Sequence, residues 1–285
     1  MTPTPYSPAG TYEEWESLDD LPELDAFNAG QIEYRAPFTD DLAGTSLELV
    51  HADGRALTVE FISDHTLRRT FDGDGQSAAE VTYDATRVRD GIYLVDFLDP
   101  AWPIAEAVDV YTRNVTWALD LASGRVTIAQ SGIVPVPHAA QGTLLRGRTE
   151  HESWNVRGTE GGIHPRSAGM AGHRVYWRYS KTDHYDHVYM NGSNFAWQCV
   201  SGIELGLTEH DRTRAYEVAP DLFFFHWTEN QFVVESVLFV DLREMRTYGR
   251  MFGIDRKDGT TMHHQFGAYG HLLNKTVYPQ PPYEN

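Results

Sequence analysis

The run DLFFFHWTE (221–229) contains the residues best suited to chemistry, because it ends in a glutamate that follows a series of aromatic rings. In an extended strand, Glu229 shares one face with Phe225 and Trp227. An ionised carboxylate without a partner is costly to bury, so such a group is neutralised, paired or catalytic. The alternative is that Glu229 ends the strand and points into solvent.

Composition limits the class of protein. The 285 residues, 41% of them hydrophobic, are enough for one large or two modest globular domains. A net charge of −18 argues against binding to nucleic acid or to anionic membranes. The single cysteine, Cys199, is typical of a reducing compartment. With no secretory signal or spanning segment visible, we expect a cytoplasmic protein.

The sequence predicts an all-β fold. Short runs rich in β-branched and aromatic residues are separated by turn signals such as Asp53-Gly54 and Ser123-Gly124, which is typical of antiparallel meanders. Helices are expected to be few and short, at 15–27 and 101–108. Residues 1–41 hold ten acidic residues and one basic residue, so we expect an acidic leader without chemistry of its own.

The sequence also contains an internal repeat. GIYLVDFLD (91–99) aligns with DLFFFHWTE (221–229), and TWALDLASGRVT (116–127) aligns with VLFVDLREMRTY (237–248). The conserved order of these matches predicts two copies of one β unit, each of a length suited to a closed barrel. We therefore predict a leader at 1–41, an N-terminal barrel at 42–150, a linker at 151–169 and a C-terminal barrel at 170–285.

The two predicted interiors differ in polarity. Where the first copy has Leu57 and Val59, the second has Tyr185 and His187. Buried polar groups need partners, so a core with several of them is expected to face a ligand. Nine of the thirteen histidines also lie at or beyond residue 164. The second barrel is thus predicted to hold the site, and the first to be structural.

Two chemistries could use these groups. The first is acid–base catalysis by Glu229, with its pKa raised by aromatic surroundings. The second is a metal centre that uses the histidines of the second copy. However, His184 and His187 should point to opposite faces of a strand, as should His263 and His264, and this spacing disfavours a shared metal.

The two-copy layout, the Ala-Gly that opens each copy and the closing HHQFGAYG (263–270) resemble the MoaF (molybdenum cofactor biosynthesis protein F-like) family. This resemblance covers nearly the whole chain from about residue 35 and implies two tandem calycin-like (lipocalin-related) barrels. The second copy is also similar to bacterial phenolic acid decarboxylases, through Trp227-Thr228-Glu229 and Tyr179. That similarity implies a glutamate that handles proton transfer and tyrosines that hold a cinnamate-type substrate. The arginine of those enzymes has no counterpart in GIELGLTEHD (202–211), which leaves Arg178 or Arg250 to supply its charge.

We therefore predict a cofactor-independent lyase or isomerase that acts on a small phenolic or cinnamate-like metabolite by decarboxylation, C–C cleavage or cyclisation. The alternatives are a non-catalytic lipocalin-like binder of an aromatic or amine ligand, and a metal-dependent enzyme. The predicted catalytic residues are Glu229, Tyr179 and His187. The predicted substrate-binding residues are Trp177, Tyr185, Tyr189, Phe195, Trp197, Phe225, Trp227, Arg250 and His264. The expected partners are a small aromatic molecule and a second copy of the chain, because Phe224 and Val234 are predicted to form an apolar outer face.

Overall fold

The computed structural model describes residues 31–72, 78–102, 113–138, 142–255 and 258–279. The strands of the first unit are β1 Ser46–His51, β2 Ala56–Phe61, β3 Thr66–Phe71, β4 Ala78–Arg89, β5 Ile92–Leu98, β6 Arg113–Asp120, β7 Arg125–His138 and β8 Gly142–Val156. Those of the second are β9 His173–Arg178, β10 His184–Tyr189, β11 Asn194–Ser201, β12 Thr208–Ala219, β13 Leu222–Thr228, β14 Val234–Asp241, β15 Arg246–Ile254 and β16 Thr261–Lys275.

Each unit is a closed antiparallel barrel of eight strands, in which consecutive strands pair and the last pairs with the first. The all-β class and the tandem barrels are therefore confirmed. The expected helix at 15–27 lies outside the described residues, as does most of the one expected at 101–108. No helix in the described part of the chain is long and apolar enough to cross a membrane.

The repeat extends to the conformation of the turns. Gly91 precedes β5 with φ 72°, and the aligned residue before β13 is Asp221 with φ 59°. Gly124 precedes β7 with φ 72°, and the aligned residue before β15 is Met245 with φ 50°. Left-handed backbone is unfavourable for residues with a Cβ, so both copies keep the turn even where the second lacks glycine.

The boundary between the units differs from the predicted linker. Strand β8 continues to Val156, so residues 151–156 belong to the first barrel, and the connection to β9 runs over 157–172. The sequence of this stretch is polar, which hid the strand. Its partner is β7, with which it pairs from His138↔Gly142 to Arg125↔Asn155.

The outer face of β13 packs against the first barrel. Phe224 and Phe239 are buried there in one cluster with Leu94 and Ala129 of the first barrel. Each large apolar side chain buried in this way contributes about 2 kcal/mol. We expected this apolar face to bind a second copy of the chain. At Phe224 it is instead covered by the first barrel of the same chain. Val234 was misplaced, because it points into the second barrel instead.

A polar layer continues this contact between the barrels. Arg250 is fully buried and donates Nε to the hydroxyl of Thr116 at 2.8 Å and Nη1 to the carbonyl of Glu235 at 2.6 Å. Gly147 also lies in this layer, where an added Cβ would clash with a carboxylate oxygen of Glu235. These contacts fix β15 and β14 of the second barrel against β6 and β8 of the first.

Candidate active site in the second barrel

A cavity lies inside the second barrel, among aromatic and acidic side chains. The described residues that line it are Gln31, Tyr179, Tyr185, His187, Trp197, Glu204, Trp227, Glu229 and Met251.

Glu229 lies directly after β13 and points into this cavity. Strand β13 alternates as predicted, with Phe225 and Trp227 on the inner face and Phe224 on the outer face. The Glu229 side chain is buried, and Trp227 Nε1 donates to its Oε1 at 3.1 Å. Burial, together with the neighbouring carboxyls, raises the pKa of Glu229 well above its ordinary value. The environment of Glu229 therefore favours its neutral, protonated form.

Glu204 supplies a second carboxyl to the cavity wall. It lies in the loop between β11 and β12, is almost fully buried, and accepts a hydrogen bond of 2.7 Å from the hydroxyl of Tyr185. Burial raises the pKa of Glu204 to about 8. A carboxyl that changes charge close to neutral pH is suited to exchange protons with a substrate.

Two further acids stand on the inner face of β12, close to the cavity. Asp211 accepts from Trp197 Nε1 at 2.9 Å, and Glu209 accepts from the backbone N–H of Asn230 at 2.6 Å. Burial raises the pKa of both carboxyls, and the charge of Glu209 raises that of Asp211 further. Their charge also acts on Glu229 and favours its neutral form.

The first barrel shows how an acid at the same position is stabilised structurally. Asp99 aligns with Glu229, and it accepts hydrogen bonds from Arg69 Nε at 2.7 Å and Nη2 at 3.1 Å. Trp197 replaces this arginine in the second barrel. Among the described residues, no ion pair reaches Glu229. A buried acid that is paired in one copy is therefore left without a cation in the other.

The two barrels also differ on the next strand. In the first barrel, Ala79 and Val81 of β4 pair with β3. At the equivalent positions of the second barrel, Glu209 and Asp211 of β12 pair with β11. The second interior has thus lost a cation and gained two acids. Such a change does not improve packing, so it indicates a ligand site.

The remaining polar groups of the wall are neutral at neutral pH. Burial lowers the pKa of His187 to about 3, and its Nδ1 lies 3.5 Å from the hydroxyl of Tyr189. Burial also raises the pKa of Tyr179 well above its ordinary value. His187 and Tyr179 can therefore donate or accept hydrogen bonds without carrying charge.

Apart from Arg250, the predicted site residues fall into three groups in the structure. The cavity is lined by Glu229, Tyr179, His187, Tyr185, Trp197 and Trp227. The apolar core of the same barrel contains Trp177, Tyr189, Phe195 and Phe225, which are not among the described wall residues. His264 lies on β16 next to Phe266, with ring centroids 6.4 Å apart, and neither of its ring nitrogens has a hydrogen-bond partner among the described residues.

Arg250, which was predicted to bind substrate, does not line this cavity. Its position on β15 directs the side chain outward into the contact between the barrels, because Met251, the next residue, faces the cavity. Arg178, the other candidate cation, is exposed. The histidines are similarly dispersed. His226 and His263 contact Glu235 and Asp96 between the barrels, and His187 alone of the nine is among the described wall residues.

Sequence reasoning missed Gln31, Glu204 and Met251 in the wall, and Glu209 and Asp211 behind it. A signal was present for the two acids on β12, because TEHDRTRA (208–215) alternates and places Glu209 and Asp211 on the face of Ala215. No comparable signal marks Gln31, which precedes the first barrel in sequence. Among the described residues, no group of three or more His, Cys, Asp or Glu side chains is arranged to hold a metal ion.

Comparisons with known proteins agree with the two-barrel division. The MoaF N-terminal domain family matches residues 19–135, and the MoaF C-terminal domain family matches residues 164–276. Protein MoaF from Klebsiella aerogenes is 31% identical over 206 residues, which cover 69% of this chain and 75% of that protein. A crystal structure from Burkholderia vietnamiensis, described as a "putative beta-lactamase", matches with a TM-score of 0.33 and 14% identity over 38% of this chain and 100% of its own. A likeness that weak carries no argument about fold or activity.

Proposed function

This chain belongs to the MoaF family, and we propose that its second barrel is the active site of a cofactor-independent lyase or isomerase. The proposed substrate is a small phenolic molecule, and the proposed reaction is C–C bond cleavage or cyclisation driven by proton transfer. The single observation that carries this proposal is the buried Glu229 carboxyl, which faces an aromatic cavity without a cation among the described wall residues.

Glu229 is assigned the role of general acid. Its raised pKa favours the protonated carboxyl, and the cavity leaves the substrate as the proton acceptor. The proton passes from a carboxyl oxygen to the carbon or oxygen on which negative charge develops as the C–C bond changes. Transfer by a positioned group of this kind contributes about 10² to 10⁴-fold to a rate.

Tyr185 and Glu204 are assigned the handling of the phenolic proton. The 2.7 Å hydrogen bond between them links the cavity to a carboxyl whose pKa is about 8. When Glu204 is ionised, it can take a proton from Tyr185 while Tyr185 takes one from the phenol. Tyr179 and His187 then hydrogen-bond the substrate, and the rings of Trp197 and Trp227 pack against it.

Decarboxylation, which the decarboxylase resemblance implied, is the less favoured reaction. A substrate carboxylate would enter a cavity that has no cation among its described wall residues, so its charge would be buried without a partner. Arg250 and Arg178 point elsewhere. The N-terminal residues 1–30 contain no lysine or arginine that could take their place. A neutral phenol carries no such penalty.

The test is to incubate the purified protein with a library of small phenols and to follow their consumption by mass spectrometry. Any substrate consumed by the wild type should be consumed at least 100-fold more slowly by Glu229→Gln, which preserves shape and removes the acid. Glu244→Gln is the matched control, because this glutamate lies on the exposed surface of the same barrel. Equal turnover by wild type and Glu229→Gln would refute the proposal.

The acids also favour a second candidate, a carrier that binds an aromatic amine without changing it. A cationic amine would be attracted by the same carboxyls, and its charge would lower their pKa values on binding. Benzylamine is a suitable probe. Tight stoichiometric binding, with proton release and with the amine recovered unchanged, would support the carrier over the enzyme.

A further inference from the structure

Gln31 lines the cavity of the second barrel although it precedes the first barrel in the chain. Its side chain is 2% exposed, and its Oε1 has no hydrogen-bond partner among the described residues. Buried amide oxygens are nearly always paired, so an unpaired one in a cavity wall indicates that a ligand supplies the donor.

The residues that follow hold Gln31 in place. We call residues 31–35 the strap, because they cross from the end of the second barrel toward the first. The Tyr34 N–H donates to the carbonyl of Tyr179 at 3.3 Å, and Arg246 Nη2 donates to the carbonyl of Tyr34 at 3.2 Å. The strap is therefore tied to the two strands that flank β16, at the end of β9 and the start of β15.

A third tie lies outside the cavity. Glu33 accepts a hydrogen bond of 3.0 Å from the backbone N–H of Lys181, and its carboxylate lies 3.1 Å from Lys181 Nζ. Lys181 is in the loop between β9 and β10, which also carries Tyr179 next to the cavity. Glu33 thus contributes to the position of the strap without facing the ligand space.

We propose that Gln31 is a specificity-determining residue, whose Oε1 accepts a hydrogen bond from a hydroxyl on the ligand ring. The identification of that hydroxyl as phenolic rests on the proposed function, whereas the contact itself rests on the unpaired oxygen. Because no described protein group donates to this oxygen, the ligand gains a hydrogen bond there that an apolar ring cannot make.

The experiment compares two probes of nearly equal shape, 4-methylphenol and toluene, by calorimetric titration of the full chain. We expect the wild type to bind 4-methylphenol more tightly. In Gln31→Leu the ratio of the two dissociation constants should fall by about tenfold, since one hydrogen bond is lost. Glu33→Gln is the control, because it weakens the strap and should affect both probes to the same extent.

An unchanged ratio in Gln31→Leu would overturn the inference, and so would a wild type that binds neither probe. The change also removes a buried unpaired oxygen, so loss of folding is not expected to obscure the result. Binding without turnover separates this test from the proposed function. If the ratio of dissociation constants falls in Gln31→Leu while Glu229→Gln keeps full turnover, only the catalytic role of Glu229 is refuted. If the ratio is unchanged while Glu229→Gln loses turnover, only the role of Gln31 is refuted.

Discussion

Glu229 occupies in the second barrel the position that Asp99 occupies in the first, one residue beyond the equivalent strand. Asp99 is held by two hydrogen bonds from a buried guanidinium, whereas Glu229 receives its hydrogen bond from an indole. The guanidinium of Arg69 thus gives Asp99 a cationic partner in the core. Glu229 has no such cation among the described residues, and its neutral form is favoured.

Returning the cation to the second barrel should abolish its chemistry. In Trp197→Arg a guanidinium would stand beside Asp211 and Glu229, as Arg69 stands beside Asp99. We expect the pKa of Glu229 to fall and turnover of a substrate to drop at least 100-fold. Trp197→Phe, which removes the indole N–H without adding charge, should retain most of the activity. Full activity in Trp197→Arg would show that the proton on Glu229 is not needed.

The free energy of unfolding should depend on pH through the titration of Glu204. Its pKa is about 8 in the folded protein against 4.5 as the ordinary value, so folding takes up a proton between these limits. Stability from this group is fully present below about pH 4.5 and is lost as pH rises toward 8, by at most about 1.4 kcal/mol per pH unit.

Chemical denaturation of wild type and Glu204→Gln at pH 5 and pH 8 measures this effect. Gln cannot titrate but can still accept from Tyr185, so its stability relative to wild type should be greater at pH 8 than at pH 5. If the difference between the two proteins does not change with pH, Glu204 titrates normally in the folded state.

Arg250 is expected to matter for stability and not for ligand binding. Burial lowers its pKa to about 10, so it is still protonated at neutral pH, 3.8 Å from Asp96. Arg250→Met removes the charge that Asp96 faces and should cost about 3 kcal/mol of unfolding free energy.

Denaturation and calorimetric titration with 4-methylphenol check both halves of this expectation. The dissociation constant should stay within about twofold of the wild type, because a side chain at position 250 points away from the cavity. If Arg250→Met had unaltered stability and weakened binding of 4-methylphenol, Arg250 would be part of the ligand site.

The fold could be predicted well from the sequence, because a barrel strand has a strong local pattern. Alternation in 221–229 placed Phe225 and Trp227 inside and Phe224 outside, and the aligned repeat supplied the second barrel. The end of β8 was missed, since HESWNV (151–156) is mostly polar, and Glu152 is paired with Arg55 and Gln130 of its own barrel.

The site was predicted only in part, because contacts between distant segments leave little local signal. Alternation along the strands predicted that Glu229 and His187 face the barrel interior. It could not predict that Gln31, from a distant segment, lines the same cavity or that Arg250 faces the other barrel. The similarity to decarboxylases directed attention to a missing arginine in 202–211. The same ten residues instead supply three acids, Glu204 in the cavity wall and Glu209 and Asp211 behind it.

The protonation state of Glu229 is the central claim, and it can be measured directly. The side-chain carboxyl carbons of glutamate can be labelled with ¹³C and followed by NMR from pH 4 to pH 9, with the Glu229 signal assigned by its loss in Glu229→Gln. We predict that this signal keeps the chemical shift of a protonated carboxyl through pH 7. A signal that instead titrates near the ordinary glutamate value of 4.5 would contradict the account.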